Sequence, residues 1–223
     1  MEYIVSPYPN LKGKKVKFLI NTLVHFTIAT FCFSSFLFIC EGSVWAQHSE
    51  VGKLFASDGA GDDRFGYTLS MDGDVAIIGA VGDDDNGSFS GSAYIFRWNG
   101  SSWVQEQKLT ASDGAEEDWF GLGVTIKGNL AVVGANYGDG NVADSGAAYV
   151  YRWNGSIWVE EQKLIASDGG LSDRFGFKSI IKEDMILIGS YYHNSHRGAV
   201  YVFRWNGSNW LEEQKLTASD SST

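Results

Sequence analysis

The side chains best equipped for chemistry in this chain are carboxylates, and they come in groups. One run, GDDDNGSFS (82–90), sets Asp83, Asp84, Asp85 and Asn86 side by side; another, YGDGNVADS (137–145), holds Asp139 and Asn141. A second kind of group recurs as DGAGDDRF (58–65), DGAEEDWF (113–120) and DGGLSDRF (168–175). Carboxylates this dense support either a glycosidase-like acid and base pair or an oxygen cage for a hard cation such as calcium. Repetition argues against the first, since a catalytic pair would break the pattern in one copy. His193 and His196, three apart on a loop and expected to face solvent, are too few ligands for a transition-metal site. No cysteine nucleophile, serine elbow or glycine-rich phosphate loop opening a helix is present. The expectation is a non-catalytic protein, with a polysaccharide-acting hydrolase as the rival class.

The elements that must position these groups are copies of one unit. Phe65-Gly66 recurs as Phe120-Gly121 and Phe175-Gly176, and KLFASDG (53) returns at 108, 163 and, clipped, at 215. Three units follow, about 53–107, 108–162 and 163–214, with a fourth begun at 215–223. Inside the first, YTLSMDG (67–73), DVAIIGA (74–80), SAYIFRW (92–98) and SWVQEQKLT (102–110) read as strands. The phrase RWNG carries Asn99-Gly100, Asn154-Gly155 and Asn206-Gly207, a hairpin signal. Read as a two-residue turn, it pairs Phe96 with Trp103 and Trp98 with Ser101. Tyr94, Phe96, Trp98 and Trp103 then share one face, and Ile95 and Val104 the other. Four antiparallel strands per unit, apolar on both faces, predict an all-β, β-propeller-type repeat array of three blades, a partial propeller. The tryptophans are expected to pack between blades.

Residues 1–46 read as a secretory signal peptide rather than fold. Lys12, Lys14, Lys15 and Lys17 precede the apolar stretch 18–40, and Val44 and Ala46 suit cleavage before Gln47. The stretch is also long enough to serve as a single N-terminal membrane anchor. Without 1–46, the remainder (47–223) keeps 13 basic and 25 acidic side chains, a net charge of −12. That charge excludes nucleic acid and anionic membrane surfaces as partners. Both cysteines, Cys32 and Cys40, lie in the leader, so stability must come from strand packing without disulfides. The expected location is secreted, cell-surface or periplasmic.

Phe65-Gly66 followed by Gly79-Ala80-Val81, with Phe120-Gly121 and Gly134-Ala135-Asn136, resembles the FG-GAP repeat, the blade unit of integrin α-chain propellers. Phe175-Gly176 with Gly189-Ser190-Tyr191 is a looser third copy. The resemblance implies a β-propeller, an extracellular setting, and interaction with a protein or glycan rather than catalysis. Blades of that type often carry a calcium loop, D-x-[DN]-x-[DN]-G-x-x-D. Asp84, Asn86 and Gly87 match its third, fifth and sixth places, but Gly82 and Ser90 stand where the first and last ligands belong. Asp83, Asp84, Asp85 and Asn86 are therefore candidate calcium ligands, Asp139 and Asn141 weaker ones, and the shortened third loop, YYHNSHR (191–197), has no carboxylate. A calcium-stiffened structural repeat is the alternative reading.

Asn86, Asn99, Asn154 and Asn206 each open an Asn-Gly-Ser sequon and are candidate N-glycosylation sites. Asp58, Asp113 and Asp168 precede glycine and are expected to shape turns. Because propellers close with four to eight blades, three would leave two faces uncovered. A place in a longer array of blades is one expected remedy, self-association of chains to complete a ring is another, and an open, curved three-blade stack is a third. The loops 81–91, 136–146 and 190–197 differ most between copies and are the expected contact surface.

Overall fold

Alternating apolar runs of six to eight residues, each ended by a glycine or Asn-Gly turn, produce twelve strands in the described residues, 52–219, of this computed structural model. The leader 1–46 lies outside those residues. The strands form three four-stranded antiparallel sheets in chain order, the three blades of a partial β-propeller. Blade 1 is β1 (Phe65–Asp72), β2 (Val75–Ala80), β3 (Ser92–Trp98) and β4 (Trp103–Leu109). Blade 2 is β5 (Phe120–Lys127), β6 (Leu130–Ala135), β7 (Ala147–Trp153) and β8 (Trp158–Leu164). Blade 3 is β9 (Phe175–Lys182), β10 (Met185–Ser190), β11 (Ala199–Trp205) and β12 (Trp210–Leu216). A single distorted turn, His193–His196, interrupts the β10–β11 loop.

Each blade turns an aromatic front face toward the preceding blade and an aliphatic back face toward the following one. The seam between blades 1 and 2 buries Val75, Ile77, Ile95 and Leu109 against Phe120, Val133, Tyr149, Tyr151 and Trp158. The seam between blades 2 and 3 repeats it, with Val132, Val150 and Leu164 against Phe175, Ile188, Tyr201, Phe203 and Trp210. The expected face sharing of Tyr94, Phe96, Trp98 and Trp103 is present.

The Phe-Gly pair makes each seam. Register slips between Phe120 and Gly123, so the inner strand bulges there. Gly121, at φ 91°, turns its carbonyl onto the preceding blade, where Thr68 Oγ1 donates to it at 2.6 Å. A side chain at Gly79 would place its Cβ 2.0 Å from that same oxygen, so this approach requires glycine. The Phe120 ring meets Tyr149 edge-on at 5.5 Å.

The hairpin reading needs one correction. Trp98 pairs with Trp103 and Arg97 with Val104, leaving a four-residue loop in place of a two-residue turn. Asn99 accounts for the difference: its Oδ1 accepts from the amides of Ser101 (3.0 Å) and Ser102 (2.9 Å), closing the loop with a side chain. The slip is two residues in total, so side-chain parity survives. The paired indoles lie 5.9 Å apart.

Candidate functional site

Strand direction puts all β2–β3 loops and all interblade connections at one end of the blades. Gly82, Tyr137 and Tyr192 donate amide hydrogens there to the carbonyls of Asp63, Asp118 and Asp173. The acidic groups of the sequence meet at this end, and a lysine sits among them. Lys108 Nζ lies 2.8 Å from Asp58 Oδ2, 2.8 Å from Asp83 Oδ2 and 2.6 Å from Asp85 Oδ2. The Tyr94 hydroxyl donates to Asp58 Oδ1 at 2.9 Å, with Asp83 Oδ2 at 3.0 Å.

Blades 2 and 3 repeat the motif with different third partners. Tyr149 donates to Asp113 at 2.7 Å, and Lys163 reaches Asp113 (2.7 Å) and the carbonyl of Asp139 (2.8 Å). Tyr201 donates to Asp168 at 2.7 Å, and Lys215 reaches Asp168 at 2.6 Å. In blade 3 the ring of His193 fills the remaining place. Its Nδ1 lies 2.6 Å from Asp173 Oδ2 and its Nε2 2.7 Å from Lys215 Nζ. An Nδ1–H tautomer satisfies both, donating to the carboxylate and accepting from the ammonium. His193 is thus buried, against the expectation of a solvent-facing side chain; His196 is exposed and lies against Tyr192. The burial follows from its place in the repeat: His193 stands four residues after Gly189, as Asp83 stands four after Gly79, and takes the buried place that Asp83 holds in blade 1.

These clusters are electrostatically settled. Burial raises the Tyr94, Tyr149 and Tyr201 hydroxyls far above the ordinary tyrosine range, so they remain donors. Lys108 is pushed up despite its own desolvation, because three carboxylates surround it. Asp58, Asp83 and Asp85 are close enough together to hold one ion, but the lysine ammonium lies among them, and a calcium ion would have to displace it. Asp84 and Asn86 do not join this group. Both are exposed, and Asn86 is tied through its backbone amide to Ser90 Oγ at 3.2 Å. Asp139 and Asn141 are also apart: Asp139 Oδ1 accepts from the Asp144 amide at 3.0 Å, while Asn141 Nδ2 donates to the Ala166 carbonyl at 2.6 Å.

A second feature crosses the same end. Arg64, Phe89, Trp119, Tyr137 and Arg174 stack in one line spanning all three blades. Phe89 and Trp119 lie 5.7 Å apart, and Trp119 and Tyr137 4.9 Å, both near-parallel. The guanidinium of Arg64 caps Phe89 at 4.9 Å and that of Arg174 caps Tyr137 at 3.4 Å. Arg64, Phe89, Trp119 and Arg174 all have positive φ, 57°, 54°, 57° and 63°, a costly conformation for bulky residues.

Sequence comparison gives the family. The model of the FG-GAP repeat matches three times, over residues 48–96, 103–151 and 158–203. The chain belongs to the FG-GAP repeat family. No curated protein sequence matches it. Among solved structures it is similar to that titled "Crystal structure of the Saccharomyces cerevisiae Sqt1". That similarity has 10% identity and a TM-score of 0.43, and covers 70% of this chain and 37% of that one.

Three of the four sequons sit at the opposite end, while Asn86 lies in the β2–β3 loop at this end. Asn99, Asn154 and Asn206 are exposed in the β3–β4 hairpins, each with Oδ1 engaged by backbone amides. The stacked line was missed in the sequence, although a signal existed. Trp119 stands where the other two FG-GAP copies have Arg64 and Arg174, and Tyr137 stands where the first has Gly82. Departures from the repeat, rather than its constant carboxylates, mark the site.

Proposed function

We propose that this chain is an exported, non-catalytic FG-GAP module that binds an extracellular protein or glycan at the loop end of its blades. The location follows from the leader reading: secreted, cell-surface or periplasmic, or held by a single N-terminal anchor. The carrying observation is the line Arg64–Phe89–Trp119–Tyr137–Arg174. Aromatic and arginine side chains on a stiff support are the residue types that dominate binding surfaces. The strained backbone beneath four of them is what a site held in place at some cost in stability looks like. The carboxylates, by contrast, are matched to lysine and tyrosine in every blade, a structural use that leaves no distinct acid and base. Glycans on Asn99, Asn154 or Asn206 would leave the loop end clear, whereas one on Asn86 would stand on it.

The test is binding of the purified protein to immobilised extracellular proteins and polysaccharides. Trp119→Ala and Arg174→Ala should lose binding that Asp84→Asn retains. Hydrolysis of any polysaccharide in the panel would overturn the non-catalytic reading, and binding untouched by either first substitution would overturn the site.

A further inference from the structure

The two seams are each built from the same set of plugs and latches, and blade 3 carries one unused half while blade 1 carries the other. At the closed seams, a Cβ on Gly79 would lie 2.0 Å from the Gly121 carbonyl, and one on Gly134 would lie 1.8 Å from that of Gly176. At the equivalent Gly189 of blade 3, the nearest atom is Lys178 O of the same blade, at 3.7 Å. The space opens into an apolar hollow of about 380 Å³ bordered by Gly189, Gly198, Val200 and Leu216. Phe120 and Phe175 fill the corresponding places behind blades 1 and 2. Leu216 is accordingly 41% exposed, whereas its counterparts Leu109 and Leu164 are 2% exposed.

The latches tell the same story. Glu106 and Gln107 hold Trp158, and Glu161 and Gln162 hold Trp210. Gln214, next in the series, is exposed with no side-chain partner among the described residues, and Trp103, the indole that would complete the series, is less buried than Trp158 or Trp210. On the front of blade 1, Met71 is 63% exposed, whereas its counterpart Ile126 is 3% exposed. At the first seam Asp72 meets Lys127 at 2.7 Å. The same position in blade 3 is Lys182, exposed and with no ion pair among the described residues.

We propose that the back of blade 3 docks the front of blade 1 of a second copy of this chain. Phe65-Gly66 of the second copy enters the Gly189–Gly198 hollow, and Gln214 clasps the Trp103 backbone. The contact is head-to-tail, so two chains close into a six-blade ring with both faces covered. Leu54 and Ala56, which pack on the front of blade 1, are the repeat counterparts of Leu216 and Ala218. Docking therefore makes these two segments compete for one place.

The test is the mass of the purified protein in solution by light scattering across a wide concentration range. The expected result is twice the mass of one chain. Gly189→Val, which has room and ordinary φ within its own chain, should weaken association by about a hundredfold while the circular dichroism stays unchanged. Leu216→Asp, at a position already 41% exposed in the single chain, should weaken it as well and serves if the first variant does not fold. A single-chain mass at every concentration, or a double mass that neither substitution alters, overturns the proposal.

Discussion

Gln107 of blade 1 grips the backbone of Trp158 in blade 2 with both ends of its carboxamide: Nε2 donates to the carbonyl at 2.8 Å and Oε1 accepts from the amide at 2.7 Å. One side chain thus carries a two-point hydrogen bond across the seam between two sheets. Gln107→Ala should leave both backbone groups without partners and cost about 2–3 kcal/mol. In a domain of this size that lowers the thermal midpoint by roughly 5–10 °C. Gln162→Ala should behave alike, because Gln162 grips Trp210 in the same way. Gln214→Ala, at a dilution where chains are single, should not move the midpoint, and differential scanning fluorimetry compares all three.

Lys108 is the internal counter-ion of blade 1. Lys108→Met leaves the Asp83 carboxylate, whose side chain is only 4% exposed, buried without its cation. The expected loss is about 2 kcal/mol, less than for a fully buried pair because Asp58 and Asp85 are exposed. Millimolar calcium should leave the melting temperature of the unaltered protein in place, since the ammonium already supplies the charge. A calcium-dependent rise in the unaltered protein would favour the calcium-stiffened reading instead.

Acid should unfold the blades through the same clusters. The Lys108 ammonium holds the Asp58 carboxyl below its ordinary 3.8. For Asp113 and Asp168 burial works upward, but Lys163 with Tyr149, and Lys215 with Tyr201, outweigh it and hold both low. A carboxyl with a depressed folded value stabilises above its unfolded value, and that stability goes as pH falls through the folded one. Denaturant midpoints should therefore be level down to about pH 4 and then fall, with a shallower fall in Lys108→Met. Asp118 runs the other way: burial raises its carboxyl, so ionisation near neutral pH is a cost. Asp118→Asn, keeping the hydrogen bond from the Ala115 amide, should raise the midpoint at neutral pH and change it little in acid.

Repeat period, strand order and the two-faced blades were legible in the sequence because each is written three times with the same parity. Loop length was not: Asn99-Gly100 carries a two-residue signal, and the Asn99 carboxamide that lengthens the loop acts through a hydrogen bond that spacing does not display. Lys108 was missed as a site residue for a related reason. Its partners lie 23 to 50 residues away, and an acidic loop read alone suggests a metal. The available signal was that Lys108, Lys163 and Lys215 each stand five residues before an aspartate, at a fixed place in the repeat. His193 was misjudged because loop residues are usually exposed; the available signal was that it stands four residues after Gly189, as buried Asp83 stands four after Gly79.

The Gly-Ala step of each blade should be as sensitive as the phenylalanine that gives the repeat its plug. Gly134→Ala puts a Cβ 1.8 Å from the Gly176 carbonyl, which is backbone held by its own bulge and cannot swing aside. Blades 2 and 3 must then separate or the bulge must flatten, at about 3 kcal/mol or more. Gly189→Ala makes the same chemical change at the same place in the repeat, where the nearest atom is 3.7 Å away, and should be tolerated by the single chain. Urea unfolding of the pair separates two explanations of the glycine. If both substitutions cost the same, glycine serves the local strand; if only Gly134→Ala is severe, it serves the seam.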